Sequence, residues 1–191
     1  MPSGAAYTTR GVSRIAVPML LGVALLVTAL LGAACGRGEE TTAPVVLDGS
    51  PRTADDEGVI TALDVPGRTL TLDGERSYQV SEQLRSFSAL NLSIQPLADA
   101  KGAYVQVGLD GRTVVWLGRI AQVVPTKPPR VYYVGRFGRV EDSEDGRRVV
   151  FGEGTVLALA DGVEPPAGAE GEVLQAEIDP AAHRVVALRA P

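Results

Sequence analysis

Cysteine, histidine and tryptophan each occur once in this chain of 191 residues, and aromatic residues make up only 5 %. One cysteine forms neither an intramolecular disulfide nor a multi-thiolate zinc site, and one histidine leaves no room for a multi-histidine metal cluster. Basic residues are outnumbered, 18 against 23 acidic, and the formal charge of −5 has the wrong sign for binding nucleic acid through phosphate neutralisation. No P-loop, dinucleotide fingerprint or nucleophile elbow occurs, so the sequence implies no cofactor. What the chain does have is 22 Gly, 13 Pro and 45 % apolar residues, the composition of a folded protein made from short elements and many turns.

The longest apolar run lies near the N-terminus. After Arg10 and Arg14, residues 15–34 carry no charge, and the run ends in Leu31-Gly32-Ala33-Ala34-Cys35. A basic n-region, an apolar h-region and small residues at its end form a secretory signal. The segment around the cysteine resembles the lipobox of bacterial lipoproteins, in the looser form where Gly32 stands at the usual leucine position and Leu31 one step before it. That resemblance implies recognition of Leu31, Gly32, Ala33 and Ala34 by the signal peptidase, lipidation of the Cys35 thiol, and cleavage just before it. The mature chain would then be held on the outer face of a bacterial membrane by lipid attached to Cys35. The 20 uncharged residues are also long enough to span a bilayer, so a single N-terminal transmembrane anchor is the alternative. In both cases Arg10 and Arg14 remain cytoplasmic and the rest of the chain is extracytoplasmic.

Residues 36–57 are rich in Gly, Pro, Thr and acids without sustained periodicity, which reads as a disordered tether. Beyond it the sequence repeats itself. Gly58-Val-Ile-Thr-Ala-Leu-Asp64 is echoed by Gly135-Arg-Phe-Gly-Arg-Val-Glu141, and Gly67–Leu72 by Gly146–Phe151. Gly102–Asp110 is echoed by Gly171–Asp179, and Val114-Val-Trp-Leu117 by Val185-Val-Ala-Leu188. Four matches in one order mark a duplicated unit of about 60 residues, near the lower limit for folding alone, so the two copies are expected to pack together.

Alternation in Thr69–Leu72 and in Val105–Leu109 predicts strands, and Pro66-Gly67, Asp73-Gly74, Asp110-Gly111 and Asp145-Gly146 predict tight turns. The spacing of Leu84, Phe87 and Leu90 after Ser81 predicts a short helix over 81–92. The expectation is an all-β fold of two small OB-like five-stranded barrels in tandem, the first with that helix inserted. The pattern over residues 58–122 and 135–189 also resembles an uncharacterised bacterial family of OB-like β-barrel domains, a resemblance that carries no activity. The expected organisation is a signal peptide over 1–34, the acylated cysteine and tether over 35–57, one barrel over 58–124, a Pro-rich linker over 125–130 and a second barrel over 131–191.

The first unit carries as many acids as bases, whereas the second has an excess of acids. An OB-like groove for single-stranded nucleic acid needs a basic track with stacking aromatics, so nucleic acid is not an expected partner. His183 in Asp179-Pro-Ala-Ala-His183 reads as a surface-turn residue with no nucleophile or orienting acid beside it. Glu141-Asp-Ser-Glu-Asp-Gly146 lacks the spacing of a calcium loop and reads as a solvated hairpin turn. Trp116 and Tyr78, Tyr104, Tyr132 and Tyr133 read as core aromatics before they read as a sugar-binding face. No catalytic and no metal residues are assigned. The sequence therefore leads to a lipid-anchored, non-enzymatic binding or scaffolding module whose partner is an envelope protein or polymer. The alternative is a carrier of a small ligand, glycan or metal, or an enzyme with a site of acids and tyrosines.

Overall fold

The computed structural model describes residues 49–191. Leu31, Gly32, Ala33, Ala34 and Cys35, the signal peptide expected over 1–34 and the tether up to residue 48 lie outside the described residues. The described residues are all-β, with ten strands. These are β1 (Asp56–Asp64), β2 (Thr69–Leu72), β3 (Arg76–Ser88), β4 (Ala103–Asp110), β5 (Thr113–Val124), β6 (Arg130–Ser143), β7 (Gly146–Phe151), β8 (Val156–Ala158), β9 (Val173–Asp179) and β10 (Arg184–Arg189). No helix among the described residues is long and apolar enough to cross a membrane.

The two halves of the described residues share one order of strand pairing. In the first half β1 pairs with β2, β2 with β3, β3 in parallel with β5, β5 with β4, and β4 back with β1. In the second half β6 pairs with β7, β7 with β8, β6 with β9, and β9 with β10. A parallel bridge between Leu159, just after β8, and Val185 on β10 completes the same path. Register is repeated as well. Gly58 faces Val105 and Gly135 faces Leu174, while Leu109 faces Val114 and Ile178 faces Val185. Even the irregularities recur, between Ile60 and Ala62 and again between Phe137 and Arg139. A bulge sharpens the local twist, so two bulges at matching positions bend both first strands alike.

The helix expected over Ser81–Leu92 does not form. The strand continues instead, with its register passing from Val80↔Val114 to Arg85↔Trp116 and on to Ser88↔Arg119. Residues 81–84 loop out of the ladder, and the Ser81 hydroxyl accepts from the Gln83 amide at 3.1 Å in a local turn rather than a helix cap. Pairing with β5 satisfies this backbone and buries Phe87 to 1 % exposure, which a solvated helix would not do. The nearest thing to the insertion is one 3₁₀ turn, Leu97–Ala100.

The tether boundary is also corrected. Residues 49–57 are not free chain: the Arg52 amide donates to the Gly154 carbonyl at 3.1 Å and the Asp55 amide to Val107 at 2.9 Å. The Arg52 guanidinium sits 5.0 Å from the Phe87 ring centre and donates to the Glu153 carbonyl. This strap touches both halves. Gly154, at φ 86, leaves room where a Cβ would overlap the carbonyl oxygens of Gly49 and Ser50.

Two apolar clusters result. One is internal to the first half and includes Ile60, Leu70, Leu72, Val105, Val107 and Leu117. The other fills the second half with Phe137, Phe151, Leu157, Leu174 and Ile178, and extends to Ala89, Tyr104 and Ile120 of the first. Alternation along β4 explains the sharing: Val105 and Val107 face inward, and Tyr104 faces the other half. Each such buried aliphatic side chain contributes about 1.5–3 kcal/mol. The β5–β6 pairing at Val123↔Val131 and Val124↔Arg130 carries the sheet across the connection.

Candidate functional site

The polar groups that face each other across this boundary start from a glycine. Gly58 on β1 lacks the Cβ that would overlap the Asp73 carboxylate and the Arg76 guanidinium, so the turn after β2 can fold over β1. Asp73 then accepts from the Val59 amide at 2.8 Å and from Arg76. Arg76 also donates to Asp56 Oδ1 at 2.6 Å and to the Glu57 carbonyl at 2.9 Å. The Tyr78 hydroxyl donates to the second Asp56 oxygen at 2.5 Å. That bond to a carboxylate is the main reason the Tyr78 phenol is held above its ordinary pKa.

The second half enters through a hairpin turn longer than its counterpart in the first. Between β4 and β5 there are two residues, Gly111 and Arg112, but between β9 and β10 there are four, Pro180 to His183. The added length takes His183, at φ 52, across the boundary, where its Nε2 lies 3.1 Å from Asp73 Oδ2. Its ring meets Tyr104 edge-on at 6.0 Å. The expected isolated turn histidine is thus a partner of a carboxylate 110 residues away.

Glu57 lies beside this chain of contacts. Gln106 donates to its Oε2 at 3.0 Å and to the Val156 carbonyl of the second half at 2.6 Å. Burial raises the Glu57 pKa above the ordinary 4.5, and the hydrogen bond from Gln106 and the nearby His183 only partly oppose it. Tyr104 is fully buried and its hydroxyl makes no hydrogen bond of normal geometry among the described residues. Burial, then the Glu57 charge, pushes this phenol far above its usual value, so it stays protonated. On the outer side of Glu57 opens a cleft of about 250 Å³ lined by Asp55, Asp56, Glu57, Gln106, Arg148 and Val156.

Other residues singled out in the sequence lie elsewhere. Tyr133 is buried, donates to Glu153 and shares a 3.0 Å hydrogen bond with the Thr155 hydroxyl, and burial raises its pKa as well. Trp116 is not a core residue. It is half-buried on the outside of β5 over Gly108, where a Cβ would overlap the indole, and 6.0 Å from Phe87. Glu141 and Asp145 flank the β6–β7 turn, paired with Arg139 and Arg148.

The boundary cluster was hidden in the sequence because its members are scattered over β1, β2–β3, β4 and β9–β10. The one available signal was the unequal length of two corresponding turns. The chain matches no protein family, no curated protein and no solved structure.

Proposed function

We propose that the protein is a lipid-anchored, extracytoplasmic bacterial lipoprotein, whose two OB-like barrels act together as a non-catalytic binding or scaffolding module for an envelope protein or polymer. The observation that carries the address is the single cysteine, Cys35, at the end of the only long uncharged run. The repeated pairing path and its shared register support the tandem-barrel reading. A five-strand path in which the third and fifth strands run parallel and the first pairs with the fourth is the OB-like arrangement.

Two observations favour binding over catalysis. The acids of the boundary are committed to structural partners: Asp56 to Arg76 and Tyr78, Asp73 to Arg76, His183 and the Val59 amide, and Glu57 to Gln106. The cleft beside Glu57, about 250 Å³, falls below the roughly 300–1,000 Å³ of ordinary small-molecule sites. The raised pKa of Glu57 favours the alternative, a small-ligand or enzymatic site at that cleft.

Intact mass analysis of the membrane fraction, beside a Cys35→Ser variant, tests the anchor. A diacylated species beginning at Cys35, lost in the variant, is expected; a full-length, unmodified chain would replace the lipoprotein reading with the transmembrane anchor. Crosslinking in whole cells tests the binding role, and the absence of any enriched partner would count against it.

A further inference from the structure

Between Arg85 and Asp99, residues 86–98 carry no charge, the widest such gap among the described residues. Part of this stretch folds back on itself as a small hairpin. Phe87 bridges Ile94, the Gln95 amide donates to the Ser86 carbonyl at 2.9 Å, and the Ser88 amide donates to the Ser93 carbonyl at 2.8 Å. At the tip the Leu92 amide donates to the Ser88 carbonyl at 2.8 Å, and the Asn91 side chain accepts from both the amide and the hydroxyl of Ser93. These polar groups are paired within the hairpin, while two apolar side chains are left outside: Leu90 is 49 % exposed and Ile94 70 %. The corresponding stretch of the second half, residues 160–172, is acidic instead, with Asp161, Glu164, Glu170 and Glu172.

The hairpin lies where the chain enters the fold. Ala89 sits at the seam between the two halves, its carbonyl accepting from the Thr155 hydroxyl at 3.3 Å. Beside Thr155, Gly154 packs against the carbonyls of Gly49 and Ser50, the first described residues, and Arg52 covers the Phe87 ring. The segment from Cys35 to Gly49 reaches at most about 50 Å. Next to the hairpin is a cleft of about 240 Å³ whose lining includes Ser88, Gln95, Arg119, Ile120 and Gln122 and no carboxylate. Arg119 is held there by donating to the Asp99 carbonyl at 2.7 Å, while Asp99 itself is exposed on the 3₁₀ turn. Exposed apolar side chains beside a basic one suit the headgroup layer of an anionic bilayer. We propose that the hairpin is a second membrane contact, with Leu90 and Ile94 entering the interface of an anionic phospholipid bilayer and Arg119 meeting its phosphates. This occupant rests on the Cys35 anchor proposed above, since the chain coming from that anchor arrives beside the hairpin.

The test puts the full chain on vesicles of brominated phosphatidylglycerol or brominated phosphatidylcholine, with Leu90→Trp in a Trp116→Phe background so that the tip carries the only indole. Far-UV circular dichroism checks the fold of each variant, and Ile94→Trp is the second probe should Leu90→Trp fail to fold. Quenching by bromine reads the docked-to-undocked ratio of the tip. That ratio should be about fivefold higher on phosphatidylglycerol, the effect of one arginine near an anionic surface. Arg119→Gln, which keeps a donor for the Asp99 carbonyl, should abolish the difference. Ile94→Asp beside the Leu90→Trp probe, or Leu90→Asp beside the Ile94→Trp probe, should lower the ratio about tenfold or more on both lipids. Vesicle flotation separates this inference from the anchor. A chain that floats with an unquenched tip overturns the hairpin contact and leaves membrane attachment standing, whereas a chain that does not float overturns both. A lipid preference unchanged by Arg119→Gln overturns the phosphate contact. A concentration-dependent blue shift without vesicles would assign the tip to a second copy of the chain and overturn the proposal.

Discussion

Two residues before the repeated glycine, the first half carries Asp56 and the second carries Tyr133. Four residues beyond Leu72 and Phe151, the two halves carry Arg76 and Thr155. In the first half an acid, an arginine and the Asp73 turn lock over Gly58. In the second a phenol, a hydroxyl and Glu153 lock over Gly135. The backbone problem is the same, closing a turn onto a bent first strand, and the side chains solve it with ions in one case and neutral donors in the other. The ionic version faces the seam and the histidine, whereas the neutral version lies under the strap. Matching geometry thus leaves room for different electrostatics.

The sharpest way to break the comparison is through the corresponding core residues Leu72 and Phe151, both essentially buried. Leu72→Ala should cost about 2–5 kcal/mol and Phe151→Ala about 3–5 kcal/mol. Because Tyr104 belongs to the apolar cluster of the second half, calorimetry should record one transition in each variant. Two resolved transitions would show that the halves melt separately.

Next come the glycines. Gly58→Ala and Gly135→Ala should each cost about 1–3 kcal/mol in chemical denaturation. Adding Asp73→Ala should rescue the first, since the Asp73 carboxylate is what its Cβ meets most closely and the Arg76 guanidinium, at 2.8 Å, is the end of a flexible side chain. Adding Glu153→Ala should rescue the second less well, because the Tyr133 and Phe151 rings also crowd that position, at 2.9 and 3.0 Å. Equal rescue would mean that the two locks are not chemically distinct.

Of the same size is Gly154→Ala, which meets strap backbone and a positive φ and should cost about 1–3 kcal/mol. Hydrogen exchange should show the Asp55 and Leu109 amides losing protection together, since both bonds belong to Asp55 and its neighbours. Unchanged protection would mean that the strap is held elsewhere. Smallest is Glu164→Gln. It removes a pair with Arg147 that holds the Glu164 carboxyl below its usual range, but the pair is solvated, and the unfolding midpoint should not move measurably.

Much of this architecture can be read from the sequence, because short β units announce themselves through alternation and glycine turns. The segments matched there, such as Gly102–Asp110 with Gly171–Asp179, hold β4 and β9, which pair with corresponding neighbours, β1 and β5 in one half and β6 and β10 in the other. The helix over 81–92 failed because Leu84, Phe87 and Leu90 satisfy a helical spacing while β5 offers a parallel partner that local pattern cannot reveal. Trp116 was misplaced for a related reason: a strand's period assigns faces, but the bulge beside it shifts them, between Gly108 and Leu109. The seam was the least legible part, since Asp73 and His183 come together only after both halves are folded.

The route of the strap sets how a mechanical load would enter the molecule. Force arriving along the backbone from the N-terminal side reaches the hairpin at Gly154 before it reaches β1. The later half is therefore pulled against the earlier one, as a buckle draws a belt across itself, and the first strand is shielded from being peeled away residue by residue.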